Sequence, residues 1–554
     1  MFMNIVNRIK DLKNRIRIIL FLIVILAAFL RIYKLDQVPV SLNWDEAAFG
    51  YNAYTIANWG RDEWGNSYPL IFTSFRDDKH PVIVYITAIF VKIFGLSDYT
   101  ARLPTAFFGV LNVWLIYLLA KQLFKQNSVA LFAALFLAVS SYNVHFSRGL
   151  WESNYALFFY MLGLYLFLKA LDSKPKLFPI SIFSFGLSFF SVHASKIVVP
   201  PTVLLLMILY SKKVFSNKKY FMITLLTLLI FIILTISNPR ILGLSRIGQT
   251  RFSDEKIAST ELYKKTHLYY AGALEIAFSQ YKLHFTPEYL FINGDQNPRN
   301  SLKKHGEFYL IDGPLLIVGL IYLLMYRSKI TLIILCWLFL SPFPSSLVTG
   351  APSANRALFM MGSLPLIAAL GAGSILSWFS GKLKLVALVV IIFLLSTQVF
   401  NFLHYYFNVY PKKDPHDWQY GMKQIVEFVK VNPNYTQVYM TDIRSQPYIF
   451  FLFYLKTSLP EYLNSVVYNR LTESKSYNTV SYFENVYLTK EGQSKRISFY
   501  FGGWDVVESM PNSRVLYIVT PSQYDGLRHK ALFDVKKIIN FPGGGEAFII
   551  VSAK

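Results

Sequence analysis

The chain of 554 residues has a single cysteine, Cys336, which excludes a disulfide scaffold and a cysteine-based zinc site. Charge is scarce. Only 16 % of residues are Asp, Glu, Lys or Arg, against about a quarter in a soluble globular chain. Acids are scarcer still, 32 against 55 basic residues, for a formal net charge of +23. Low charge together with 54 % hydrophobic residues excludes an intrinsically disordered chain. There is no glycine-rich phosphate cradle of the Walker type, and no internal repeat or low-complexity tract. What is present is a series of long apolar runs through about the first 400 residues, the pattern of a polytopic α-helical membrane protein.

A helix that crosses the hydrocarbon core needs roughly 20 apolar residues. The runs Ile16–Tyr33, Leu103–Leu123, Val129–Phe146, Asn154–Leu171, Leu177–Val192, Ile197–Tyr210, Tyr220–Ile236, Tyr309–Tyr326, Ile330–Leu347, Ala357–Phe379 and Leu385–Phe402 predict about eleven transmembrane helices. Cytoplasmic loops collect Lys and Arg, and here every second connection is basic. Arg8, Lys10, Lys13, Arg15 and Arg17 precede the first run, and the later basic loops hold Lys121 and Lys125, Lys169 to Lys176, Lys212 to Lys219, Arg327 and Lys329, and Lys382 and Lys384. The N-terminus is therefore expected in the cytoplasm and the C-terminus outside, in a multi-pass protein of the cell (plasma) membrane. Of the 55 basic residues, 18 lie in these cytoplasmic segments, so the charge excess is largely a topology signal and nucleic acid is not expected as a partner.

The run Pro81–Phe94 is read as an interfacial or re-entrant helix, because counting it as a span inverts every later loop. The first run is read as a retained anchor rather than a signal peptide: no A-x-A-like cleavage site follows it, and Arg31-Ile-Tyr-Lys34 suits a membrane surface. The expected organisation is a transmembrane domain over residues 1–403, with extracytoplasmic loops 34–80 and 238–307, followed by an extracytoplasmic soluble α/β domain over 404–554. In that tail, Trp418–Val431 reads as helix, and Gln437–Met440, Val515–Val519 and Ala547–Val551 read as strands.

The first outer loop reverses the overall charge balance, with seven acids between Lys34 and His80. Asp45 and Glu46 stand together in Asn43-Trp-Asp-Glu-Ala-Ala-Phe-Gly-Tyr51. A carboxylate pair near a membrane surface can take a proton from a hydroxyl or hold a divalent cation. The competing structural reading is a helix start, with Asn43 as cap and acids in the first turn. Lys79, in Asp77-Asp-Lys-His-Pro81, and Arg102, at the start of the second span, are placed either to contact a lipid phosphate or to anchor at the interface. Glu152 is either a cap or a second active acid, His193 an interface residue or a ligand, and Arg356 a third candidate phosphate contact. These groups collect at outer helix ends, and the spans hold almost no ionisable residues. That favours chemistry on an anionic lipid at the outer leaflet over a transporter's intramembrane ion path.

In order and spacing these features resemble the GT-C superfamily of integral-membrane glycosyltransferases, closest to the family 39 type that includes protein O-mannosyltransferases and lipid A aminoarabinose transferases. The resemblance rests on the loop with Asp45-Glu46, then Lys79-His80-Pro81, the apolar segment Val82–Phe94 with Gly95, Ala101-Arg-Leu-Pro104, and Phe107-Phe-Gly109 before a basic turn. Pro298-Arg299, and Arg356 with Pro365, also look like features of bacterial members. His80 departs from the proline the family often has there. The resemblance implies a polytopic GT-C-like fold and inverting transfer of a hexosyl or pentosyl group from a polyprenyl-phosphate sugar to an acceptor hydroxyl on protein, lipid or polysaccharide. It implies Asp45 as base with Glu46 as acidic partner and Glu152 as a second acid. Lys79, Arg102 and Arg356 become donor-phosphate contacts, and Trp44, His80 and His193 candidate substrate contacts. Metal dependence is left open, with Asp45 and Glu46 as ligands if a divalent cation takes part; the lipid-linked sugar is a substrate, not a cofactor. Two other readings are an oligosaccharyltransferase, for which only Gly502-Gly-Trp-Asp505 stands where that family carries Trp-Trp-Asp-Tyr-Gly, and a lipid or sugar transporter.

Overall fold

A computed structural model of the chain describes residues 2–172, 174–243, 250–325, 328–432, 434–469, 479–488, 494–502 and 513–554. Arg327 and Gly503-Trp-Asp505, which entered the sequence argument, lie outside the described residues. The chain divides into two compact units, one of Met1–Tyr33 with Thr105–Tyr405, the other of Lys34–Pro104 with Tyr406–Lys554.

The first unit is helical, and every expected apolar run within it forms helix. Five helices, Asp98–Phe124, Lys218–Ser237, Lys329–Ser346, Met360–Trp378 and Gly381–Lys413, are long and apolar enough to cross a membrane, or six if one bent pair counts as a span, among the described residues. That pair falls on the expected span Val129–Phe146, which is bent rather than continuous. The chain there forms α1 (Asn127–Val139) and α2 (Ser141–Arg148), which meet at 53°. Ser140 caps α2 through its side chain, which accepts from the Asn143 N–H. The break frees carbonyls at the end of α1, and an unpaired carbonyl in an apolar interior is costly. Arg31 takes two of them, Leu137 O at 3.1 Å and Ala138 O at 3.0 Å, and the Tyr309 hydroxyl donates to Val139 O at 2.7 Å. Arg31 also donates to Ala27 O, Asn143 Oδ1 and Ser147 Oγ, which uses all five of its N–H groups. It is 0 % exposed, so it is not the surface anchor expected from the sequence. Arg148 is buried as well, donating to Leu30 O, so the spans hold more charge than their apolar text suggests.

Small residues set another contact. A Cβ on Gly319 would strike the Ile367 carbonyl, and one on Gly371 the Leu315 carbonyl, so Asp312–Met325 and Met360–Trp378 pack backbone against backbone. Close approach of this kind is how membrane helices gain dispersion contact without a hydrophobic driving force.

The second unit joins the 34–104 segment to a mixed seven-stranded sheet. The strands are β3 (Gln437–Met440), β4 (Val467–Tyr468), β5 (Val480–Leu488), β6 (Ser494–Phe501), β7 (Val515–Val519), β8 (Phe533–Asn540) and β9 (Glu546–Ala553), in the order β4-β5-β6-β3-β7-β9-β8. Central β3 runs parallel to β6 and β7, and the other pairs are antiparallel. The strands visible in the sequence are β3, whose residues alternate between half-buried and buried, and the almost wholly buried β7 and β9. The expected helix Trp418–Val431 begins only at Met422, after a turn that leaves Trp418 buried. The 34–104 segment contributes α3 (Trp44–Trp59), a hairpin of β1 (Phe72–Ser74) and β2 (Asp77–Lys79), and α4 (Pro81–Phe94). At 14 residues, α4 is about 21 Å long, too short for a core of about 30 Å. It buries Val82, Ile83, Val84 and Val91 and exposes Ile89, Ile93 and Phe94.

Candidate functional site

The start of α3 holds the paired acids, and their two carboxylates have different partners. Asn43 has extended backbone and caps the helix: its side chain accepts from the Glu46 N–H at 3.1 Å, and Glu46 Oε2 accepts from the Asn43 N–H at 3.0 Å. This reciprocal box satisfies two N–H groups that a helix start leaves orphaned. Glu46 then turns inward to Arg102, with Nε to Oε1 at 2.8 Å and Nη2 to Oε2 at 3.0 Å. Arg102 is 0 % exposed and Glu46 1 %. The remaining Arg102 N–H groups donate to Leu35 O, Pro39 O and Ser41 O, and its guanidinium lies 5.9 Å from the Trp418 ring centroid. All five of its donors are thus committed to protein acceptors, an arrangement unlike the phosphate contact expected of Arg102. It pins the 35–41 loop to the helix that carries Asp45.

Asp45, one residue earlier, points the other way and keeps 27 % of its side chain exposed. Its Oδ1 accepts from Lys79 Nζ at 2.7 Å, and Asp77 Oδ2 accepts from the same ammonium at 3.0 Å. Lys79 reaches this position because β1 and β2 form a two-residue hairpin with Phe72 opposite Lys79 and Ser74 opposite Asp77. The turn residues Phe75 and Arg76 both have positive φ, 58° and 60°, the twist a tight hairpin requires. Arg76 donates to Asn469 O and Phe75 packs edge-on against Tyr448, which holds the turn in place. His80 is the buried N-terminal flank of α4, and Trp44 is the half-buried first residue of α3.

Behind the hairpin lies a carboxyl that the sequence reading counted only as one acid among seven. Glu63 is buried, and its Oε1 accepts from Ser74 Oγ at 2.6 Å while its backbone N–H donates to Asn52 Oδ1 at 2.9 Å. Its Oε2 has no hydrogen-bond partner among the described residues. Burial, with Asp62 nearby, pushes its pKa up to about 8 against the bonds from Ser74 and Asn52. Asp77 is the other member missed. Its position two residues before Lys79 in a strand, hence on the same face, was a usable signal.

Glu152, His193 and Arg356 belong to the first unit. Glu152 precedes helix Ser153–Ala170 without a side-chain capping bond. His193 Nδ1 lies 3.1 Å from Lys196 Nζ. Arg356 Nη1 donates to Thr349 O at 2.6 Å. The structure therefore groups Asp45, Glu46, Lys79 and Arg102, flanked by Trp44 and His80.

As a cation site the pair Asp45–Glu46 fits poorly, since Glu46 faces Arg102 and Asp45 faces Lys79. Among the described residues no group of three or more His, Cys, Asp and Glu side chains stands in a metal-holding arrangement.

Residues 78–236, which include Lys79 and Arg102 but not Asp45, match the family described as dolichyl-phosphate-mannose-protein mannosyltransferase. The "Putative mannosyltransferase YycA" of Bacillus subtilis (strain 168) is 28 % identical over 177 residues, 31 % of this chain and 24 % of that relative. The chain thus matches about a quarter of that curated relative's length. The crystal structure of ArnT from Cupriavidus metallidurans in the apo state aligns over 96 % of this chain and 97 % of its own, with a TM-score of 0.54 and 12 % identity. The structure of the same protein bound to undecaprenyl phosphate aligns over the same shares, with a TM-score of 0.52 and 11 % identity. The fold is GT-C-like, the architecture of a class of integral-membrane glycosyltransferases, as the sequence resemblance implied. Within that class its particular likenesses are to the mannosyltransferase family, over 78–236, and to ArnT, over nearly the whole chain.

Proposed function

We propose that the protein is an inverting glycosyltransferase that moves a hexosyl or pentosyl group from a polyprenyl-phosphate donor to an acceptor hydroxyl on the extracytoplasmic face of the membrane. The observation that carries this reading is the part-exposed Asp45 carboxylate, held 2.7 Å from Lys79 Nζ at the start of a helix locked by a buried ion pair. The family matched over 78–236 is named for a lipid-phosphate sugar donor, and one of the ArnT structures holds undecaprenyl phosphate.

In this reading the acceptor O–H bond breaks as Asp45 takes the proton. The acceptor oxygen bonds to the sugar's anomeric carbon from the face opposite the phosphate. The bond from that carbon to the phosphate oxygen breaks, its electron pair leaves with the polyprenyl phosphate, and the configuration inverts. A carboxylate suits the first task, because a hydroxyl is a weak nucleophile until its proton has somewhere to go. The leaving phosphate is already a stable anion, so it needs a cation more than an acid, and Lys79 supplies one beside the base. Glu46 and Arg102 act as positioning residues, since neither has a group left to offer a substrate. Glu152 as second acid, Arg356 as phosphate contact, and Trp44, His80 and His193 as substrate contacts are carried as parts of the same proposal. So are a cytoplasmic N-terminus, about eleven crossings and an extracytoplasmic soluble domain over 404–554.

The test is turnover of purified protein with a panel of polyprenyl-phosphate sugars, mannose and aminoarabinose included, using membrane extract from a deletion strain as acceptor source. Transfer by the native chain and none by Asp45→Asn supports the reading. Equal transfer by both overturns it. A tag after Lys554 that is reached only from the cytoplasm would overturn the topology.

A further inference from the structure

The segment between Lys218–Ser237 and Asp312–Met325 reads from the sequence as an outer loop, yet it contains a helix with an unusual surface. Helix α5 (Tyr269–Leu283) buries Gly272, Ile276, Ala277 and Gln280 on one side. There Ile276 and Ala277 pack with Phe252 and Ile257 in a small core. On the opposite side Tyr270, Leu274 and Phe278, spaced four apart, are 81 %, 65 % and 64 % exposed. Leu268 and Leu283, at the two ends of the helix, are exposed as well. A solvated loop has no reason to present a continuous apolar helix face to water.

Two further observations say what covers it. The first is position. The C-terminal end of α5 is fastened to the end of span Lys329–Ser346 that lies farthest from Lys329. Tyr281 donates to Phe339 O at 2.8 Å and packs on the Phe343 ring at 5.1 Å, and Phe285 meets Phe339 at 6.1 Å. Phe339 and Phe343, with Leu347 just past the helix, are themselves exposed apolar side chains at that end of a helix long and apolar enough to cross a membrane, and the α5 stripe continues this apolar surface. The second is charge. Lys264, exposed and paired with Glu261 at 2.9 Å, and exposed Lys265 lie just before the stripe, and Lys282 at its far end sets its ammonium 4.7 Å from the Phe278 ring centroid. Cations that fold back along an apolar face are placed to reach lipid headgroups while their stems stay in the acyl boundary. With 15 residues and a length of about 22 Å, α5 cannot cross the core and is suited to lie in its surface.

We propose that α5 is an in-plane membrane helix, seated with Tyr270, Leu274 and Phe278 in the acyl boundary of an anionic lipid leaflet and with Lys264, Lys265 and Lys282 at the headgroups. The seat fixes the height of the 238–307 segment at the membrane.

The test uses the full chain in nanodiscs of phosphatidylethanolamine and phosphatidylglycerol. Nitroxide labels are attached at Leu274→Cys, Phe278→Cys and, as a water-facing reference, Glu261→Cys, each in a Cys336→Ser background. Expected is an oxygen-to-nickel-complex accessibility ratio several-fold higher at 274 and 278 than at 261. With Lys264→Glu, Lys265→Glu and Lys282→Glu combined, that difference should shrink as in discs without phosphatidylglycerol. A ratio at 274 and 278 equal to that at 261 overturns the proposal. So does low accessibility to both reagents, which would mark a protein occupant such as a second copy of the chain. Should the label at 274 disturb folding, a diazirine-tailed phospholipid applied to the unmodified chain gives the same decision. Crosslinks within Tyr270–Phe278 support the seat, and crosslinks to the spans alone overturn it.

Discussion

Replacing Glu46 with glutamine separates structural support from chemistry more sharply than any other single change. The substitution keeps the shape and can keep the cap bond to Asn43, but it removes the negative charge facing Arg102. The guanidinium is fully buried, so it would remain charged without its paired carboxylate, with only Asp98 nearby, and with two of its five N–H bonds weakened. At about 4 Å between charge centres and an effective dielectric near 20, the lost attraction is about 4 kcal/mol. That agrees with the roughly 3–5 kcal/mol seen when one partner of a buried pair is removed. For a cooperative unit of roughly 200 residues this corresponds to a fall in Tm of about 10 °C. Thermal unfolding of the detergent-solubilised protein, with hydrogen exchange over Trp44–Trp59 to localise the loss, measures it. The double variant Glu46→Gln with Arg102→Met should recover much of the stability, because it removes the stranded charge. A Glu46→Gln Tm within about 1 °C of the native value would refute the reasoning.

Glu63 predicts a pH dependence of stability. Its folded pKa of about 8 lies above its ordinary value of 4.5, so its contribution is fully present below about pH 4.5 and is lost as pH rises through 8. Glu63→Gln should therefore gain on the native chain as pH rises, by about 3 kcal/mol at pH 7, and parallel stability curves from pH 5 to 8 would contradict this. Gly371→Ala should push Met360–Trp378 off Asp312–Met325, since its Cβ would meet the Leu315 carbonyl. A loss of about 1–3 kcal/mol, read as a lower Tm and lower yield of folded protein, is expected. Lys79→Met should leave α3 capped while lowering turnover with a lipid-phosphate donor by about 100-fold or more, and unchanged turnover would remove Lys79 from the proposed chemistry.

The apolar runs were legible because a helix in lipid must state itself in about 20 consecutive residues. Their breaks were not. The bend at Ser140 depends on Arg31, whose carbonyl partner Ala138 lies 107 positions away, and no local pattern announces such a pairing. The same holds at the candidate site. Asp45, Glu46 and Lys79 stood out by residue type, but the division of labour between the two acids is set by Arg102, 56 positions from Glu46. The capping reading describes Glu46, which closes the box with Asn43, and the chemical reading is the one proposed for Asp45. In the tail, β3, β7 and β9 were visible as short apolar runs. β5 and β6 mix buried Phe483, Ile497 and Phe499 with half-exposed Tyr482, Tyr500 and Glu484, an alternation diluted by the polar residues on its outer face. Helix α5 was hidden because its apolar residues occupy two opposite faces, which blurs the periodicity of an amphipathic helix.

The most direct test of the account is turnover and stability of Asp45→Asn, measured side by side with the native chain on a polyprenyl-phosphate sugar. Asp45 is part-exposed and Lys79 keeps Asp77 as a counter-ion, so the variant should keep a Tm near the native value while transfer falls to background. Transfer at the native rate by a folded Asp45→Asn protein would contradict the account.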